Sequence, residues 1–140
     1  METMHVLLVD DEEEFLAPLM KRLKKRNIHV YGSESGKAAL AALGRHHIDV
    51  VVLDVKMPDM DGIEVLQKIK KEYPEVEVIL LTGHANLETV CEGIRLGAFD
   101  YLMKPMEIDE LLYKIEDAYH KKSISEDRVP GECLVEISTE

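Results

Sequence analysis

Val50-Val51-Val52-Leu53 is an unbroken apolar run with Asp54 directly behind it. A half-buried strand alternates apolar and polar residues, whereas a strand covered on both faces does not. The run therefore reads as the central strand of a parallel sheet, and it commits the chain to helices on both sides of that sheet. The rest of the sequence supplies them, because short apolar runs alternate with helical periodicity along the chain.

His5 to Asp10 reads as the first strand. Phe15, Leu16, Leu19, Met20 and Leu23 then recur at helical spacing, with Glu12 to Glu14 before them and Lys21, Arg22, Lys24, Lys25 and Arg26 late, matching the helix macrodipole. Pro18 is expected in the first turn, which starts this helix near Glu14. His29 to Tyr31 is a short second strand, and Ser35 can cap the helix that follows. His46 and His47 are read as adjacent, solvated residues on that helix. Asp61 and Glu64 resemble a capping box for a third helix, with Ile63, Leu66 and Ile69 as its apolar face and Pro74 as its stop. Val78 to Leu81 is the fourth strand. Asn86 opens and Gly97 closes the fourth helix. Tyr101 to Met103 is the fifth strand, and a last helix with Ile108, Leu111, Leu112 and Ile115 inward ends near His120. The fold class expected is α/β, a flavodoxin-like (βα)5 doubly wound sandwich with a five-stranded parallel sheet in the order 2-1-3-4-5. Residues 1–121 form the domain. Residues 122–140 read as a tail or linker stub, in which Cys133 to Ile137 could add a short strand.

The chain carries 17 basic and 28 acidic residues, a net charge of −11. Such a surface repels phosphates and anionic lipid, which argues against direct nucleic acid binding and membrane association. No stretch approaches the ~20 apolar residues of a membrane span, and the N-terminus does not read as a signal peptide. Two cysteines, Cys91 and Cys133, without C-x-x-C, indicate no disulfide framework and make a reducing cytoplasm the expected setting. Cys91 is read as a small buried hydrophobe.

Charged groups end three of the apolar runs. Asp10 and Asp11 follow the first, Asp54 the third, and Lys104-Pro105 the fifth; Thr82 ends the fourth. Polar residues commonly end strands, but that explains any one of these rather than their joint placement. In a parallel sheet they meet at the carboxyl edge, where ligands bind in open α/β folds. Three carboxylates suit Mg²⁺ (or Mn²⁺), and without a cation their repulsion raises at least one pKa. A carboxylate nucleophile, a hydroxyl, a lysine and a metal are the parts of a phosphoryl-transfer site.

The segments LLVDDE (7–12), VVLDVKMPDMDGIE (51–64), ILLTGHA (79–85) and FDYLMKP (99–105) strongly resemble the receiver domain of two-component response regulators. The resemblance covers about residues 4–121. It implies that Asp54 accepts a phosphoryl group from the phosphohistidine of a sensor histidine kinase. It implies that Asp11 and Asp54 bind the metal directly, Asp10 through water, and Lys56 by its backbone carbonyl. Lys104 would pair with the phosphoryl group and Thr82 would move to hydrogen-bond it. Tyr101 would then turn inward and reshape the face of the fourth helix, fifth strand and fifth helix, where a downstream target, a fused output domain or a second copy would dock. The Lys104–Pro105 peptide is expected to be cis. Lys56 and His84 would flank the attacking water and tune phosphoryl lifetime; the alternative for Lys56 is a merely solvated lysine, and for Tyr101 a mere core residue.

Other readings fit less well. Gly32 to Lys37 resembles a P-loop but is one residue short between its glycines and has Ala38 where Ser/Thr is needed. A phosphohydrolase using Asp54 as nucleophile would want an acid two residues on, where Lys56 stands. A flavodoxin-like cofactor binder would not place Asp10 and Asp11 beside a cofactor phosphate. A receiver that works without phosphate has no need of Asp54, Thr82 and Lys104 together.

Overall fold

The computed structural model describes residues 3–83 and 87–124. Five strands, β1 (His5–Val9), β2 (His29–Ser33), β3 (Val50–Asp54), β4 (Glu77–Thr82) and β5 (Asp100–Met103), alternate with α1 (Glu13–Lys24), α2 (Gly36–Arg45), α3 (Gly62–Glu72), α4 (Leu87–Arg95) and α5 (Ile108–Ile124). All strand pairs are parallel, in the order β2-β1-β3-β4-β5. This is the flavodoxin-like (βα)5 fold expected from the apolar pattern.

The period of two along each strand divides the core. Leu7, Val9, Val51, Leu53, Val78 and Leu80 face α2 and α3, where Ala39, Leu43, Val65, Leu66 and Ile69 meet them. Val6, Leu8, Val50, Val52, Ile79 and Leu81 face the other way, onto Leu16, Leu19 and Leu23 of α1 and Leu111, Leu112 and Ile115 of α5. Every residue of β3 is buried, which is why its sequence shows no polar alternation. Val90 and Cys91 of α4 form a small separate cluster with Ile94 and Tyr101.

Local signals account for three of the helix ends. Ser35 Oγ accepts from Ala38 N at 3.1 Å, and Asp61 Oδ1 accepts from Ile63 N at 3.1 Å. Gly97, with φ of 114°, turns the chain out of α4, as its position suggested.

Four expectations need correction. Pro18 lies inside α1, beyond its first turn. It faces solvent, so the carbonyl that loses an N–H partner is beside water, and the buried face of Leu16, Leu19 and Leu23 carries the helix across it. His46 and His47 are not on α2, which ends at Arg45; His46 is extended, its ring stacked on Tyr31 at 4.3 Å, and His47 reaches Asp49. Helix α5 continues to Ile124, past the end expected near His120. Cys91 is buried as expected but is disulfide-bonded. Spacing within short motifs says nothing about two cysteines far apart in sequence, and the partner of Cys91 lies outside the described residues. Asn86, His84 and the segment 125–140 also lie outside them. No helix among the described residues is long and apolar enough to cross a membrane.

Candidate phosphoryl-transfer site

Parallel register sets the site. Val9 pairs with Leu53, Asp54 with Leu81, and Thr82 with Met103, so the residues ending or following these strands lie level at one edge. Further backbone bonds fix those ends: Asp10 N to Ser33 O at 3.0 Å, Val55 N to Leu81 O at 2.9 Å, and Lys104 N to Thr82 O at 2.8 Å. The Lys104–Pro105 peptide is cis, as the resemblance implied.

Asp10, Asp11 and Asp54 each offer a carboxylate oxygen, all within 4.8 Å of one another. Asp10 and Asp54 are buried and Asp11 is exposed. Lys104 Nζ stands 2.7 Å from Asp10 Oδ2, and 3.4 Å from both Asp54 Oδ2 and Glu12 Oε1. Its ammonium also lies 4.5 Å from the centre of the Phe15 ring, a cation–π contact. Asp54 Oδ1 accepts from Lys56 N at 3.2 Å, and Asp10 Oδ1 from Glu12 N at 2.9 Å. A cavity of about 440 Å³ opens over this cluster, lined among others by Asp11, Asp54, Lys56, Thr82 and Lys104.

The electrostatics are those of a site short of positive charge. Burial pushes the Asp54 carboxyl above its ordinary pKa, and the charge of Asp10 adds to the push; Lys104 and the Lys56 N–H oppose it without cancelling it. Burial acts to lower the pKa of Lys104, but its contact with Asp10 and the charge of Asp54 more than offset this and raise it. Asp10 Oδ2 is buried and faces the Lys104 ammonium at 2.7 Å. An all-oxygen donor set of three carboxylates crowded within 4.8 Å, with a single ammonium among them, fits a hard divalent cation such as Mg²⁺.

The loop after β3 is held at both ends. Gly62 N donates to Val55 O at 2.9 Å, and a Cβ at Gly62 would lie 2.6 Å from Val55 Cα and 2.8 Å from Asp54 O. Asp59 accepts from Gly36 N at 3.1 Å and Lys37 N at 3.3 Å, tying the loop to the first turn of α2; the Gly36 N–H bond leads in holding this carboxyl below its usual range. The ring of Tyr101 is half-buried against α4, and Thr82 is buried at the end of β4.

The sequence-predicted residues Asp11, Asp54, Lys56, Thr82 and Lys104 therefore line one cavity, with Asp10 in the carboxylate cluster beside it and Tyr101 two residues before the end of β5. Phe15 and Asp59 were missed. Phe15 sits in a helical apolar pattern that hides its contact with Lys104, and Asp59 carries no spacing that links it to α2.

The model of the response regulator receiver domain matches residues 6–116. The chain belongs to that family. It is 34% identical over 122 residues to Regulatory protein AtoC of Escherichia coli, an alignment covering 87% of this chain and 26% of AtoC. A CheY-like response regulator receiver domain protein from Methanospirillum hungatei superposes with a TM-score of 0.85 at 29% identity, covering 89% of this chain and all of that one. The beryllofluoride-activated NtrC4 receiver domain dimer superposes with a TM-score of 0.80 at 33% identity, over 84% of this chain and 98% of that one. The chain spans about a quarter of the length of the curated relatives it matches. The receiver domain is the regulatory phosphoacceptor module of two-component signalling rather than a classical enzyme.

Proposed function

We propose that Asp54 accepts a phosphoryl group from the phosphohistidine of a sensor histidine kinase in a Mg²⁺-dependent reaction. The observation that carries this reading is the convergence of Asp10, Asp11 and Asp54 within 4.8 Å, with Lys104 Nζ at 3.4 Å from Asp54. Asp11 and Asp54 would hold the cation by side chain, Asp10 through water, and Lys56 by its backbone carbonyl; the ion supplies charge that neutralises the developing phosphoryl oxygens. An Asp54 oxygen forms the new acyl P–O bond as the P–N bond of the donor breaks and the imidazole departs. The phosphoryl group of the product carries roughly −1.5 to −2 charge, in place of the single charge of the carboxylate. Lys104 exchanges its carboxylate partners for a phosphoryl oxygen, and the Thr82 hydroxyl donates to another.

These shifts pass to Tyr101, and the face of α4, β5 and α5 changes the partner it holds. That partner is a downstream protein, an output domain joined through residues 122–140, or a second copy of the chain in phosphorylation-dependent dimers. The part-length match to AtoC supports a fused output, and the NtrC4 dimer supports self-association. The setting proposed is cytoplasmic.

Lys56 lines the cavity beside Asp54, where its bulk would hinder the attacking water and lengthen phosphoryl lifetime; His84 is proposed to flank the same path. Lys56→Ala and Lys56→Asn should shed phosphate several-fold faster than the unaltered protein after the donor is removed. Equal rates would leave Lys56 as a solvated lysine. The function itself is tested by intact-protein mass after incubation with acetyl phosphate and Mg²⁺. One added phosphoryl group, prevented by chelator during loading, supports it. No adduct at short times and low temperature, with no free phosphate released, would reduce the chain to a phosphate-independent binding module.

A further inference from the structure

Four of the six histidines lie at the amino edge of the sheet, away from the acidic site across the length of β3. His5 and His29 open β1 and β2 and are register partners, so their side chains leave the same face. Their ring centres are 4.8 Å apart, and the His47 ring stands edge-on to His5 at 5.3 Å. Behind His47, Asp49 Oδ1 lies 2.9 Å from Nε2, and the other Asp49 oxygen accepts from His5 N at 3.0 Å. His5 Nδ1 is buried and has no hydrogen-bond partner. A buried polar nitrogen without a protein partner is uncommon, and it leaves His5 Nδ1 with a lone pair open to a bound ion or water.

We propose that His5, His29 and His47 bind a divalent transition-metal ion of the Zn²⁺, Ni²⁺ or Cu²⁺ class. Imidazole suits such ions, whereas the all-oxygen cluster at the opposite edge suits Mg²⁺, so ligand type keeps the two sites distinct. Asp49 holds the proton on Nε2 of His47 and leaves Nδ1 as the donor atom, the carboxylate–histidine–metal arrangement of many metal sites. His5 Nδ1 is the second donor. His29 is the third, and its exposed ring turns to close the set. Turning is required, because among the described residues the acidic cluster alone brings three donor groups within 4.8 Å. His46 takes no part, since its ring stacks on Tyr31. A bound ion would join β1, β2 and the α2–β3 connection.

The test is calorimetric titration of Zn²⁺ into untagged full chain held in saturating Mg²⁺. A single Zn²⁺ site is expected. His29→Gln and His47→Gln should each weaken it at least about tenfold, and Asp49→Asn about 10- to 100-fold. Asp54→Asn and His46→Gln should leave it unchanged. His29 is exposed, so His29→Gln stays folded and keeps the comparison valid if Asp49→Asn does not. Absence of binding overturns the proposal. So does binding that excess Mg²⁺ or Asp54→Asn removes, or binding that survives His29→Gln and His47→Gln.

Discussion

Asp49 and Asp54 are both buried and stand at the two ends of β3, yet their surroundings differ in kind. Asp49 faces donors at ordinary hydrogen-bond lengths, His5 N at 3.0 Å and His47 Nε2 at 2.9 Å. Asp54 has only longer contacts, 3.2 Å to Lys56 N and 3.4 Å to Lys104, with another buried carboxylate beside it. The fold has completed one aspartate and left the other short of partners. Buried carboxylates that lack full partners are expensive, so a fold that keeps one at a cavity keeps it ready for something that arrives. The same strand thus carries a structural aspartate at its amino end and a reactive one at its carboxyl end.

The largest expected effect separates them by chemistry. Asp54→Asn should abolish phosphoryl uptake from acetyl phosphate, while Asp49→Asn should retain it. Uptake by Asp54→Asn, or its loss in a folded Asp49→Asn protein, would break the comparison. Stability should run the other way: Asp49→Ala leaves the part-buried His5 N–H without its acceptor, at a cost of about 1–3 kcal/mol in urea unfolding.

Gly62→Ala sharpens the account of the carboxyl edge. Its Cβ would collide with the backbone of Val55 and Asp54, which cannot move aside as a side-chain tip can. The loop carrying Lys56 must shift, so Mg²⁺ affinity should fall several-fold, a change measurable by titration in a variant that still unfolds cooperatively. The smallest effect is in pH dependence. Without metal, the raised pKa of Asp54 means that the folded protein binds this proton more tightly than the unfolded chain. Its stabilising contribution is fully present below the ordinary carboxylate value of 3.8 and is lost as pH rises through the folded-state pKa. Asp54→Asn cannot undergo that loss, so at neutral pH the metal-free variant should be at least as stable as the unaltered protein. A clearly lower melting temperature would mean that Lys104 already satisfies Asp54.

The carboxyl edge was legible because strand ends, parallel register and charged residues are all local features of sequence. Val50 to Asp54 alone located the central strand, and Asp10, Asp54, Thr82 and Lys104 followed from where their strands stop. The amino edge was not legible. His5, His29 and His47 come from three separate segments, and their meeting depends on the register of β1 with β2 and on where α2 ends. The sequence favoured continuing α2 into His46, whereas stacking on Tyr31 and the pull of buried Asp49 hold His46 and His47 off the helix. Pro18 misled for a related reason. Local propensity placed it in the first turn, and tertiary burial of Leu19 and Leu23 overrode that preference.

The central claim is that Asp54, and not another carboxylate of the crowded edge, takes the phosphoryl group. The most direct measurement is peptide mapping of the chain after loading with acetyl phosphate and Mg²⁺, with the acyl phosphate trapped chemically before digestion. The account predicts one modified site, at Asp54, and no adduct in Asp54→Ala. Modification at Asp10 or Asp11, or an adduct of equal yield in Asp54→Ala, would contradict it.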